Sequence, residues 1–157
     1  ASIAASLGVR YAFAGHFAMR NATSALAWYR KQFTPSPGLD KPYAMLAVAV
    51  ICGVDDEHAE RMAAPARLAL VRNRTGRRAP IASIEEALAY RYTPEEEAIA
   101  EEFRLGSIIG GPERVLRKLA ALVRDTGVDE LMLSTIMSDR EDRLQSYQRI
   151  SAAARLS

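Results

Sequence analysis

Cysteine is almost absent from this chain of 157 residues: Cys52 stands alone. No internal disulfide can form, which favours a reducing, cytoplasmic setting. Following the apolar run Val48-Ala49-Val50-Ile51, Cys52 reads as a small buried residue rather than a nucleophile. Histidine is nearly as scarce. His16 and His58 are far apart, so the ligand spacing of a metal site is missing. Neither sign of charge is in excess, with 21 basic against 19 acidic residues and a net charge of +2. That balance gives no electrostatic case for nucleic acid. The one local excess, Arg72-Asn73-Arg74-Thr75-Gly76-Arg77-Arg78, reads as a solvated loop after a helix, with a phosphate contact as the alternative. No apolar run approaches the ~18 residues needed to span a bilayer, so no membrane role is expected. The alanine-rich residues 1–7 lack a basic flank and do not read as a signal peptide. With no initiator Met and a helix already under way at residue 1, an upstream portion is expected to be missing.

What the chain does contain is a run of βα units. Ile3, Ala4 and Leu7 share a helical face that Gly8 stops. Arg10 to Ala14 then reads as a short buried strand. Asn21 is placed to cap a helix carrying Ala22, Ala25, Leu26, Tyr29 and Phe33, which Thr34-Pro35-Ser36-Pro37-Gly38 ends. Tyr43 to Ile51 has no polar residue, so both faces of this second strand are expected to be covered, as in a parallel sheet under helices. Asp55 opens a long helix to about Arg72, with acids in its first turn and bases in its last.

Residues 76–106 read as a helical excursion, of which 76–103 is expected to be a mobile cover over the pocket. Ser83-Ile84-Glu85-Glu86 is expected to be a capping box, and a second short helix starts at Pro94. Ser107 to Gly110 is a brief extended piece. Pro112 starts an amphipathic helix with Val115, Leu116, Leu119, Leu122 and Val123 inward. Asp129 to Thr135 is the third strand. Arg140 to Leu156 closes the chain as a helix with Leu144, Tyr147, Ile150 and Ala154 inward. Trp28 and Met132 stand at core spacing and read as packing. The fold class is α/β, a partial (β/α)₈ barrel of three parallel strands with helices and a helical insertion, where a closed barrel takes ~250 residues.

Chemistry in such folds sits in the loops after the strands. Gly15-His16-Phe17 occupies that place after the first strand. Gly15 permits an unusual backbone angle, His16 suits hydrogen bonding or proton transfer near neutral pH, and Phe17 can line an apolar pocket. The plainer reading of His16 is a ring satisfied by a strand-end carbonyl. His58, in a helix's first turn, reads as solvated. Gly106 to Gly111 has glycines but no nucleotide fingerprint, leaving an anion at the following helix's amino end as the alternative. Ser138 or Asp139 reads as a helix cap.

These residues resemble a family. Ala4-Ala5-Ser6-Leu7-Gly8 running into Tyr11-Ala12-Phe13-Ala14-Gly15-His16-Phe17, then Ala25-Leu26-Ala27-Trp28-Tyr29-Arg30, Lys41-Pro42-Tyr43-Ala44-Met45-Leu46, Gly110-Gly111-Pro112-Glu113-Arg114-Val115 and Thr126-Gly127-Val128-Asp129-Glu130-Leu131-Met132 follow in the order found in the C-terminal part of the luciferase-like, flavin-dependent monooxygenases. The resemblance implies a TIM barrel whose N-terminal strands are absent here, residues 1–157 being its C-terminal part. It implies oxidation of a small organic substrate by reduced FMN and oxygen, with a deazaflavin as the alternative cofactor and a flavin reductase as a possible partner. Within it, His16 is the catalytic candidate, Gly15, His16 and Phe17 line the substrate pocket, and Ser2 is the tail of a hydroxyl-rich loop for the flavin phosphate. No metal is implied. Most of the site then lies upstream, so the chain alone is expected to be inactive. The alternative is a non-catalytic α/β module that self-associates through its sheet edges into a homo-oligomer. A barrel enzyme for phosphate-bearing substrates rests only on the glycines before Pro112.

Overall fold

The computed structural model describes residues 1–155. Its elements run α1 (Ser2–Ser6), β1 (Tyr11–Ala14), α2 (Gly15–Ala18), a 3₁₀ turn (Met19–Asn21), α3 (Ala22–Gln32), β2 (Ala44–Cys52), α4 (Asp56–Arg74), α5 (Ile84–Ala89), α6 (Pro94–Gly106), β3 (Ser107–Gly110), α7 (Pro112–Thr126), β4 (Glu130–Ser134) and α8 (Arg140–Arg155). The three expected strands are contiguous: β1 and β4 both pair with β2, and both run parallel to it. The brief extended piece at Ser107–Gly110 is a fourth strand, which also borders β2. Four residues, two of them glycine or serine, are too few to show a strand period. Backbone contacts form two compact units, residues 1–49 with 119–134 and residues 50–118 with 135 onward; β2 and α7 contribute to both.

In the first unit the register sets one face of the sheet against helices. Phe13, Leu46 and Leu131 are neighbours across β1, β2 and β4 and pack with Ala5, Ala22, Leu26 and Tyr29 of α1 and α3. Leu26 and Tyr29 are fully buried, and each such side chain contributes roughly 1.5–3 kcal/mol by leaving water. The Tyr29 hydroxyl stays satisfied by donating to the Val9 carbonyl at 2.8 Å and accepting the Tyr43 N–H at 3.2 Å. Gly8 ends α1 at φ +62°, where a β-carbon would lie 2.5 Å from the Thr34 carbonyl oxygen, so the turn admits glycine alone.

The opposite face of this sheet is uncovered. Ala12, Ala14 and Glu130 are exposed, Met45 and Ala49 only partly buried, and Met132 is 52% exposed. Three expectations fail here, the first being a buried β1, none of whose four residues is buried. The second face of β2 is not fully covered, and Met132 is not core, because an apolar run records what a strand can bury and not what is present to bury it. Trp28 is also 49% exposed; its indole lies on the outer side of α3 and donates to the Ser2 hydroxyl at 3.1 Å.

In the second unit α4 is the organising helix. Asp55 caps it, accepting the His58 N–H at 2.7 Å, and His58 returns the contact by accepting the Val54 N–H through Nδ1 at 3.3 Å. Ala59, Met62, Ala63 and Ala66 pack on Ile51, Ile109 and Met137. Ala64 and Leu68 pack on Ala82 and Ala87 of the excursion. The basic run is solvated from Asn73 to Arg78, as a loop after a helix, and three of its arginines also meet carboxylates. Arg72 pairs with Glu86 at 2.7 Å, Arg74 with Glu102 at 3.7 Å, and Arg77 with Glu96. The full capping box lies at Thr93–Glu96, whereas at α5 the Ser83 hydroxyl accepts the Glu86 N–H.

The inward face of α8 differs from the expected one. Ile150 is buried, but Leu144 is 47% and Tyr147 36% exposed, Ala154 is exposed, and Leu156 lies outside the described residues. The innermost side chain is Ser146, fully buried, whose hydroxyl accepts the Cys52 N–H at 2.9 Å. A backbone donor at the end of β2 thus selects a polar residue that hydropathy places outside. Asp139 caps α8, accepting the Asp142 N–H at 2.9 Å.

Candidate functional site

The carboxyl end of β1 is built by close packing. At Gly15 a β-carbon would stand 2.6 Å from the Ala47 carbonyl oxygen and 2.8 Å from Leu46 Cδ1, so only glycine lets the chain turn from strand into α2 there. The residue that follows, His16, is fixed by that turn. Its ring lies 4.1 Å from the Phe17 ring at 47°. Its Nδ1 is buried and has no hydrogen-bond partner among the described residues. The strand-end carbonyl that would satisfy this nitrogen does not reach it, and a buried polar atom left unpaired is uncommon in folded proteins. Phe17 is 77% exposed, an apolar surface that the described residues leave bare.

Beside this turn runs the uncovered sheet face. Ala14, Ala47 and Met132 form one row across the three strands, and Ala49 and Ser134 the next toward the carboxyl ends. None of these side chains carries charge. Charge gathers at the amino-terminal row, where the Glu130 carboxylate accepts the Tyr43 hydroxyl at 3.0 Å and raises that phenol above its ordinary range, and the Arg10 guanidinium lies 4.8 Å over the Tyr43 ring. The geometry offers an apolar surface with one free imidazole at its edge, suited to binding and orienting an uncharged molecule.

Ser2 opens α1 and accepts from the Trp28 indole, which leaves its hydroxyl hydrogen unassigned. The amino end of α7 is filled by the chain's own carboxylate. Asp56 accepts the Gly111 N–H at 2.8 Å and pairs with Arg114 at 2.7 Å. The Gly111 N–H and then the Arg114 guanidinium hold the Asp56 carboxyl below the usual carboxylate range. Cys52 is buried, and burial pushes its thiol up. Among the described residues no three His, Cys, Asp or Glu side chains gather to hold a metal, and no helix is long and apolar enough to cross a membrane. Sequence reasoning put Gly15, His16 and Phe17 just past the end of the first strand, where the structure has them; it took Met132 for packing, and the structure leaves it exposed.

No family model matches the chain. A luciferase-like monooxygenase of Escherichia coli strain K12 is 31% identical over 148 residues, 94% of this chain and 44% of that protein. The crystal structure of apo-MsnO8 superimposes with a TM-score of 0.88 at 30% identity, covering 99% of this chain and 48% of that one. The oxygenating constituent of 3,6-diketocamphane monooxygenase from Pseudomonas putida, a type II Baeyer–Villiger enzyme in complex with FMN, shares the fold at a TM-score of 0.56 and 16% identity, over 96% of this chain and 43% of that one. The chain therefore spans about half the length of the relatives it matches. Sequence and backbone agree that this chain is of the luciferase-like, flavin-dependent monooxygenase family, with the α/β fold of part of its TIM barrel.

Proposed function

We propose that the chain contributes the C-terminal half of a flavin-dependent monooxygenase that uses reduced FMN and oxygen on a small organic substrate, and that it is inactive without further strands. The observation that carries this reading is the open sheet face, uncharged over its carboxyl-terminal rows, with His16 Nδ1 unpartnered at that end. A ring-shaped cofactor or substrate is what such a surface accommodates, and that end of a parallel barrel is where TIM-barrel enzymes work.

The residues present fit a flavin in part. Gly15, His16 and Phe17 would line the organic pocket, His16 as the hydrogen-bonding or proton-transferring group. The Ser2 hydroxyl, already accepting from Trp28, would keep its hydrogen for a phosphate oxygen. When bound, the flavin supplies the redox chemistry with oxygen. The protein's task is to orient the substrate and keep water out. FMN is favoured by the FMN-bound relative of the same fold; a deazaflavin is the alternative, and a reductase would deliver either in reduced form.

Anaerobic titration with reduced FMN tests the proposal. The chain alone is expected to bind weakly or not at all, and binding is expected once the upstream portion of its reading frame is supplied. Tight binding and substrate oxidation by the isolated chain would show that the site is complete without other strands. A second reading is favoured by the sheet edges: among the described residues β1 and β4 border β2 and no other strand. Alone, the chain would then act as a self-associating module.

A further inference from the structure

His16 has two ring nitrogens, and the structure treats them differently. Nδ1 is buried without a partner. Nε2 makes no hydrogen bond with the described residues but is not shut away with Nδ1. In a neutral imidazole one nitrogen carries the hydrogen and the other only a lone pair. An unpaired buried N–H is rarer and costlier than an unpaired buried acceptor. The hydrogen therefore belongs on Nε2. We propose, on the footing of the flavin-enzyme reading above, that His16 is held as the Nε2–H tautomer and selects ligands bearing an acceptor oxygen, with their apolar remainder against Phe17.

Three further features support this. Gly15 locks the backbone before His16 against Ala47 and Leu46, so the ring is presented from a fixed point. Phe17 touches the ring at 4.1 Å and leaves most of its own surface open, giving the apolar part of a ligand something to rest on. The neighbouring row Ala14, Ala47 and Met132 holds no cation, so an anionic ligand gains nothing there over a neutral one.

The test uses the chain itself and three probes: acetophenone, its isostere α-methylstyrene, which lacks the oxygen, and benzoate. Long-range ¹⁵N–¹H spectra of the His16 ring should show hydrogen on Nε2. Acetophenone should move the Nε2 signal and bind ~5-fold more tightly than α-methylstyrene, the worth of one neutral hydrogen bond of ~1 kcal/mol. Benzoate should bind no better than acetophenone. A glutamine amide reaches the place of Nε2 and an asparagine amide that of Nδ1, so His16→Gln should keep the preference and His16→Asn lose it, with melting curves confirming that both fold. Hydrogen on Nδ1, the reverse order of the two variants, or equal affinity for acetophenone and α-methylstyrene would each overturn the proposal, as would no response to any probe. Failure of the completed protein to bind FMN would count against the flavin reading and leave these spectra unchanged, so the two outcomes are separable.

Discussion

At Gly15 and at Asp56, single atoms decide what the site's surroundings tolerate. A methyl group at Gly15 would press on the Ala47 carbonyl oxygen at 2.6 Å, and backbone cannot yield as a flexible side chain can. Gly15→Ala is therefore expected to cost about 1–3 kcal/mol, seen as a lower urea midpoint with an unchanged slope. Asp56 acts through its charge. Its folded carboxyl is held below its unfolded value by Gly111 and Arg114. The stabilisation is thus fully present above the ordinary carboxylate range and lost as pH falls through the folded value. The melting temperature of Asp56→Asn should fall less steeply than that of the parent as pH drops below about 4; parallel curves would contradict this. These two residues differ in legibility. Gly15 announces itself by following a strand and preceding His16-Phe17. Asp56 reads only as one more acid in a first turn, because its partners Gly111 and Arg114 lie more than fifty residues away in sequence.

Among the elements, the excursion through α5 and α6 is tied to α4 by arginines that sequence composition presents as a surplus. Glu96 is 3% exposed, accepts from the Tyr90 hydroxyl at 3.0 Å and from the Thr93 N–H at 3.0 Å, and pairs with Arg77. Removing its charge leaves donors unanswered in a buried place. Glu96→Gln is expected to lower stability by about 1–3 kcal/mol, discounted toward the lower end because Arg77 is itself half exposed. Hydrogen exchange of α6 amides should rise with it; unchanged exchange would mean the apolar contacts of Leu68, Ala82 and Ala87 hold the excursion alone. The sequence supports helices in this region well, through Thr93, Pro94 and the acids that follow. It cannot show which bases they meet. The same limit explains α8, whose period is legible but whose phase is set by the Cys52 N–H reaching Ser146.

At the largest scale the decisive feature is that, in the first unit, the β1–β2–β4 part of the sheet is covered by helices on one face. Glycine stops, helical spacing between the strands and the apolar run of β2 made the strands and the α/β class readable. They could not reveal that Ala12, Ala14 and Met132 are exposed, since exposure depends on what lies against the sheet and not on the strand's own residues. An edge strand with free N–H and C=O groups, next to an apolar face, pairs with whatever strand it meets. In isolation the nearest such strand belongs to another copy. Light scattering after size exclusion should accordingly give a mass above that of one 17.2 kDa chain, rising with concentration. Ala12→Lys puts a charge on the exposed face of β1 and should return the chain to a monomer, while its exposed position keeps the stability change within about 0.5 kcal/mol. Co-expression with the N-terminal half of the Escherichia coli relative, the part this chain does not match, should have the same effect without any substitution if that half occupies the same edge and face. A wild-type chain that stays monomeric at high concentration would remove the self-associating module as a reading and leave the completed barrel as the only occupant of the open face.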